Sequence, residues 1–181
     1  MKRILKKNEE INQMTKTQLR KFHIKNIGGN LSCTSKMPCY SFNLSALHCK
    51  TGSKLVKIKG SVCEGCYALD GFYKMYDHIN KMKPKTDLVK NENWTESMIW
   101  LIKNQGSKKD KNYFRWFDSG DVQSLDHLKK IVYIAEKLPE IKFWMPTKEY
   151  KIVSDYQKKY GSFPVNLIVR VSAPMIDQVL K

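Results

Sequence analysis

Downstream of residue 67 the chain switches repeatedly between two hydrophobic periods, about 3.6 and 2 residues, the marks of helices and half-buried strands. Trp94 to Lys103 puts Met98, Ile99, Leu101 and Ile102 at buried positions and predicts a helix. Tyr113-Phe114-Arg115-Trp116-Phe117 reads as a short aromatic strand broken by Asp118-Ser119-Gly120-Asp121. Ser124 then caps a helix whose stripe of Leu128, Ile131, Val132, Ile134, Ala135 and Leu138 ends at Pro139, with His127 where a capping box would carry Glu. The unit recurs: strand at Ile141 to Met145, turn at Pro146-Thr147-Lys148, helix at Glu149 to Tyr160 closed by Gly161. Asn166 to Val171 is almost continuously apolar, as in a strand buried on both faces, and Pro174 opens a last helix that runs to Lys181. Ahead of these, Leu69, Phe72, Tyr73, Tyr76 and Ile79 predict a helix over Tyr67 to Met82, stopped by Pro84.

This alternation predicts an α/β protein of parallel βα units. In such folds the loops after the strands gather on one sheet edge, so chemistry is expected there. The upstream chain reads differently. Leu31 to Cys66 is rich in Ser, Gly and Lys, with one expected strand at Tyr40 to Ala46 and otherwise loop. Met1 to Asn30 is basic, ends in Ile27-Gly28-Gly29-Asn30, and reads as a loosely attached arm or a short helix. The expected division is a basic N-terminal arm at 1–30 and a single α/β domain at 31–181, with a cysteine loop at 31–66 and βα units at 67–181.

With 181 residues, 41% hydrophobic and 28% charged, one soluble domain is expected. No apolar run approaches the roughly 18 residues of a spanning helix, and Met1 to Glu10 lacks the apolar stretch of a secretory signal, so no membrane partner and a cytoplasmic location are expected. Lys and Arg number 33 against 17 Asp and Glu, a net +16 that suits polyanions. The lysines are dispersed and Arg3, Arg20, Arg115 and Arg170 are the arginines, a pattern for nonspecific nucleic-acid contact through lysine rather than base readout.

All five cysteines fall between Cys33 and Cys66, a cluster that reads as a metal or redox centre rather than as bridges. Cys63-Glu64-Gly65-Cys66 brings two thiolates to one metal, with Gly65 permitting the turn, and Cys49 supplies a third or is simply a small buried residue. Zinc would need four ligands, with Cys33 and Cys39 completing the set. Three cysteines with one position open suit an iron-sulfur cluster, and a helix opening at Cys66 would favour its negative charge. His48 beside Cys49 is a weaker ligand candidate.

Asp118, Ser119, Gly120 and Asp121 at a strand end can hold a ligand ammonium or hydroxyl, or form an ordinary capped turn. Lys148 and Glu149 hold a polar ligand group or start a solvated helix, and Ser172 ends the third strand. Arg170 lies inside that strand, where burial would require a carboxylate or a ligand. His23, His78 and His127 read as surface or helix residues, and Trp94, Trp100, Trp116 and Trp144 as core.

Ser35-Lys36-Met37-Pro38, Cys49-Lys50-Thr51-Gly52-Ser53-Lys54-Leu55 and Gly60-Ser61-Val62-Cys63-Glu64-Gly65-Cys66-Tyr67-Ala68 resemble the phage gene product 88 domain family. Phe114 to Asp121, Phe143 to Tyr150 and Asn166 to Ser172 are similar to that family's successive strand-end motifs, so the resemblance covers roughly residues 31 to 175. The cysteine-plus-barrel layout also looks like a distant relative of the radical S-adenosylmethionine enzymes. That resemblance implies a partial, incomplete TIM-type barrel with a cysteine-bearing N-terminal loop region. It makes Cys49, Cys63 and Cys66 the ligands of a 4Fe-4S cluster. Asp118-Ser119-Gly120-Asp121 would hold the amino group of S-adenosylmethionine, with Arg170 and Ser172 facing cofactor or substrate. The implied protein is phage-encoded, works in the host cytoplasm and acts on an unidentified small-molecule or macromolecular substrate. Cys-x13-Cys-x2-Cys is longer than the compact loop of those enzymes, and four βα units stand against six, which implies a truncated, degenerate form or a protein partner that completes the barrel. The contrasting reading is a noncatalytic, basic phage accessory protein that binds zinc and nucleic acid.

Overall fold

The structure, a computed structural model, describes residue 11 and residues 13–177. Its framework is helix α1 (Lys16–Ile27), strand β1 (Cys39–Phe42), helix α2 (Trp94–Lys103), β2 (Asp110–Trp116), α3 (Leu125–Lys137), β3 (Lys142–Thr147), α4 (Tyr150–Tyr160) and β4 (Leu167–Val171), with short helical turns between β1 and α2. The four strands form one parallel sheet in the order β1-β2-β3-β4. The α/β class and the parallel pairing agree with the sequence pattern.

One face of the sheet carries the core. Phe114, Trp116, Phe143, Met145 and Leu167 point into it and meet Trp94, Met98, Leu101 and Ile102 of α2 and Leu128, Ile131 and Ile134 of α3. Each fully buried side chain of this size contributes roughly 1.5–3 kcal/mol. α2 has the predicted bounds, and α3 begins where Ser124 Oγ accepts the His127 N–H at 3.1 Å. The His127 ring reaches one residue further back than a capping-box glutamate would: its Nδ1 accepts the N–H of Gln123, the residue before the N-cap, at 3.2 Å. His127 is therefore buried, not superficial.

Of the two readings of the basic N-terminal segment, residues 16–27 take the helical one. Thr15 and Gln18 form a reciprocal capping box, and Gly28, at φ 80°, closes the helix with its N–H on Ile24 and Lys25. The helix docks on α2 through His23, which is buried, lies 3.0 Å from Ser97 Oγ and stacks on Trp100.

Several expected elements differ. β1 is shorter than Tyr40 to Ala46 and buried along its whole length. The predicted helix over Tyr67 to Met82 is a series of short turns, Tyr67–Leu69, Gly71–Met75 and His78–Lys81, interrupted at Gly71 (φ 52°) and Asp77 (φ 54°). Phe72 and Tyr76, placed on its buried face by spacing, are exposed, because no surface packs against them. Pro84 does not stop a helix; it sits in the first turn of Lys83–Leu88, where its missing N–H is harmless. Pro146 and Thr147 extend β3 rather than form a turn. β4 is an edge strand with Ile168 and Arg170 exposed, not a strand buried on both faces. Residues 174–177 form a bend, a bridge through Met175 to Ser61, and a turn, so no helix starts at Pro174; the remainder of that expected helix, 178–181, lies outside the described residues, as does the start of the arm, 1–10. No helix among the described residues is long and apolar enough to cross a membrane.

Candidate functional site: a thiol-lined cavity at the sheet edge

Parallel strands deliver their following loops to one edge, and there the loops after β1, β2 and β3 are laced together. Leu44, two residues past β1, donates its N–H to Ser119 O (3.1 Å) and accepts the Ser119 hydroxyl (3.0 Å). Gly120 lies at φ 76°, and a Cβ there would fall 2.7 Å from Leu44 O and Cβ, so only glycine fits. Gly120→Ala is expected to destabilise the fold by roughly 2–4 kcal/mol, combining the left-handed penalty with displacement of a packed backbone; chemical denaturation measures it. Phe117, just ahead, is held at φ 60°, a conformation uncommon for a bulky residue and one that concentrates at functional sites.

Asp121 ties the β2 loop to the end of β3. Its Oδ1 accepts the Val122 N–H (2.8 Å) and the Thr147 hydroxyl (2.6 Å), and its Oδ2 accepts the Lys148 N–H (2.8 Å). Glu149, one residue on, accepts both the N–H (2.7 Å) and the hydroxyl (2.9 Å) of Thr51, and so anchors the cysteine segment to the sheet across 98 positions of sequence. The carboxylates of Asp121 and Glu149 are thus committed to holding loops in place.

The result is a cavity of about 440 Å³. Cys49, Cys63 and Cys66 line one side, and Asp118, Ser119, Gly120, Asp121, Lys148 and Ser172 another. A Cβ on Gly52 would lie 3.7 Å from the sulfurs of both Cys49 and Cys63, so the missing side chain keeps the space between them open. All three thiols are free. Burial first, then the negative charge of Asp121 and the neighbouring thiols, pushes Cys49 up to about 12, while Lys148 opposes the rise at Cys63. A thiol this reluctant to ionise is no nucleophile at neutral pH, but a metal can displace its proton.

Asp118 differs from Asp121. It is buried, and neither carboxylate oxygen has a hydrogen-bond partner. Burial pushes its carboxyl up; Arg115, then nearby backbone N–H groups and the Ser41 hydroxyl, offset this only in part. Asp118 borders the cavity as a residue, but both carboxylate oxygens are closed off from solvent, beside the Ser41 hydroxyl and under the positive charge of Arg115. The Tyr67 hydroxyl donates to the Asp118 carbonyl and helps wall the cavity.

Four candidate residues, Arg170, His48, Cys33 and Cys39, stand elsewhere, and the helix expected at Cys66 is missing. Arg170 does not line the cavity; as part of the exposed face of an edge strand it stays in water and needs neither carboxylate nor ligand. His48 turns to Thr86, with Nδ1 2.7 Å from its Oγ1. Cys66 precedes only a three-residue 3-10 turn, too short for a helix dipole. Cys33 is exposed and Cys39 is buried in β1, both away from this cavity. Among the described residues no three His, Cys, Asp or Glu side chains converge on a single metal ion. Sequence reasoning missed Thr51, Tyr67 and the buried Lys85, whose ammonium burial pushes down while Asp118 opposes that shift. Only Thr51 carried a signal, its place beside Cys49.

Fold and site together define an α/β protein with a parallel sheet and a thiol-lined cavity at the strand ends. The chain belongs to the gene product 88 family, whose model matches residues 3–178. No curated protein and no solved structure matches it.

Proposed function

We propose that this chain is an iron-sulfur protein of the gene product 88 family, phage-encoded and related to the radical S-adenosylmethionine enzymes, in which Cys49, Cys63 and Cys66 hold a 4Fe-4S cluster beside a bound polar cofactor. The observation that carries the reading is the sharing of one cavity by three thiols and Asp118. A tetrahedral zinc site would draw its sulfurs to within ~3.8 Å of one another around one point. The three cysteines line one cavity, and an iron-sulfur cluster would offer each thiolate a separate iron. The sequential order of the parallel strands β1-β2-β3-β4 is compatible with the partial barrel of this reading.

A cluster bound here would supply one-electron reduction to the ligand beside it. The chain's own residues do the rest. Asp118 would turn its carboxylate to the ammonium of S-adenosylmethionine, while Gly120 lets the β2 loop pack tightly on Leu44. Lys148 sets a positive charge near Cys63, favouring thiolate over thiol. Asp121 and Glu149 keep the loops from separating.

Anaerobic isolation tests this. The protein should be brown, bleach with dithionite, and bind S-adenosylmethionine in equilibrium dialysis with a loss of roughly tenfold or more in Asp118→Asn, the scale of a hydrogen-bonded charge pair. A colourless zinc protein would refute it.

A further inference from the structure

On the far side of the sheet β1 is covered, with Cys39 and Ser41 buried, but β3, β4 and the start of β2 are exposed there. On that side β2 presents Lys111, Tyr113 and Arg115, β3 presents Lys142, Trp144 and Pro146, and β4 presents Ile168 and Arg170, the alternate set to the buried residues. Register puts Tyr113 beside Lys142, Arg115 beside Trp144 and Pro146 beside Arg170. Tyr113 is 44% exposed and Trp144 39%. The Arg115 guanidinium lies 4.7 Å from the centre of the Trp144 ring, and Lys142 Nζ lies 5.7 Å from that of Tyr113.

The face thus carries two aromatic rings and four cations; Lys111, Lys142 and Arg170 are exposed, whereas Arg115 is half-buried, with Nη1 3.1 Å from Met37 Sδ. Among the described residues no carboxylate is within ion-pair distance of Arg115, Lys142 or Arg170. A second copy of the chain would bring four like charges against four. An apolar protein surface would strip water from unpaired guanidinium and ammonium groups. A duplex hides its base faces. Unpaired bases stack on exposed rings while their phosphates take the cations, which is how sheet platforms bind single strands.

We infer that this open face binds single-stranded nucleic acid, with bases stacking on Tyr113 and Trp144 and phosphates on Lys111, Arg115, Lys142 and Arg170. The inference does not rest on the cluster, since it concerns a surface and not the thiols. Arg115 and Pro146 also line the thiol cavity, so a strand lying on the face leads into its mouth.

Fluorescence anisotropy of the full chain with a labelled oligothymidylate of about 16 nucleotides decides it. A duplex of the same length and polyglutamate serve as competitors. The single strand should bind at least tenfold more tightly than the duplex, and the affinity should fall steeply with salt. Trp144→Ala should weaken binding roughly tenfold with the salt slope unchanged. Lys142→Glu with Arg170→Glu, both at exposed positions outside the core, should abolish it and flatten the slope; this variant decides the matter if Trp144→Ala fails to fold. Equal binding of the duplex, displacement by polyglutamate at equal charge, or unchanged affinity in these variants would overturn the inference, the polyglutamate result by making the face a site for acidic protein segments.

Discussion

Replacing Cys63 or Cys66 with alanine is expected to remove most of the bound metal, and Cys49→Ala to do the same, while Cys33→Ala leaves the metal content near that of the parent. The first three thiols share one cavity, and Cys33 opens elsewhere. Losing one thiolate leaves an iron without its protein ligand, whereas losing an outlying thiol changes nothing at the cluster. Circular dichroism would confirm that each variant folds. Metal analysis would then contradict the assignment if Cys33→Ala lost as much as Cys63→Ala. Cys49 is the most demanding of the three, because its thiol must give up a proton held at a pKa of about 12. Loading at that position accordingly depends on the metal's ability to displace the proton, and falls as the pH is lowered.

Acidification is expected to destabilise the fold through His127. Burial, and secondarily Lys130, lowers this imidazole to about 3 from its ordinary 6.5. Its Nδ1 accepts the Gln123 N–H, and Trp94 and Phe117 close around the ring with centroids 5.3 and 5.7 Å away. The sign follows from proton uptake. Below pH 6.5 the unfolded chain binds a proton at this position and the folded chain does not until about pH 3, so stability falls throughout that window. At 1.36 kcal/mol per unit the full loss is on the order of 5 kcal/mol. Asp118 and Asp121, whose carboxyls burial pushes up, act in the opposite sense and recover stability on acidification. The comparison is therefore between the parent chain and His127→Gln by denaturant titration from pH 7 to pH 4. The variant should be weaker at pH 7, through loss of the cap and the ring's packing, but with a shallower decline. Parallel declines would place the pH dependence elsewhere.

α2, α3, α4 and the central strands were legible because each buries one face against a partner that the same periodicity supplies. Phe72 and Tyr76 show where this fails. Their spacing is helical, but spacing reports burial only when a surface exists to receive it, and here none does. The open face of the sheet was hidden for a related reason: an apolar run such as Leu167-Ile168-Val169 looks the same in a central strand and at an edge with water on one side. In the site, the loops after the strands were legible from topology alone. The tie between Glu149 and Thr51 was not, since nothing local marks two residues 98 apart as partners. Nor could spacing distinguish Asp118, which is without a partner, from Asp121, which is fully engaged.

Iron and acid-labile sulfide content of the anaerobically isolated chain tests the central claim most directly. The account predicts roughly four of each per chain. Zinc without sulfide, or no metal once the thiols are kept reduced, would contradict it.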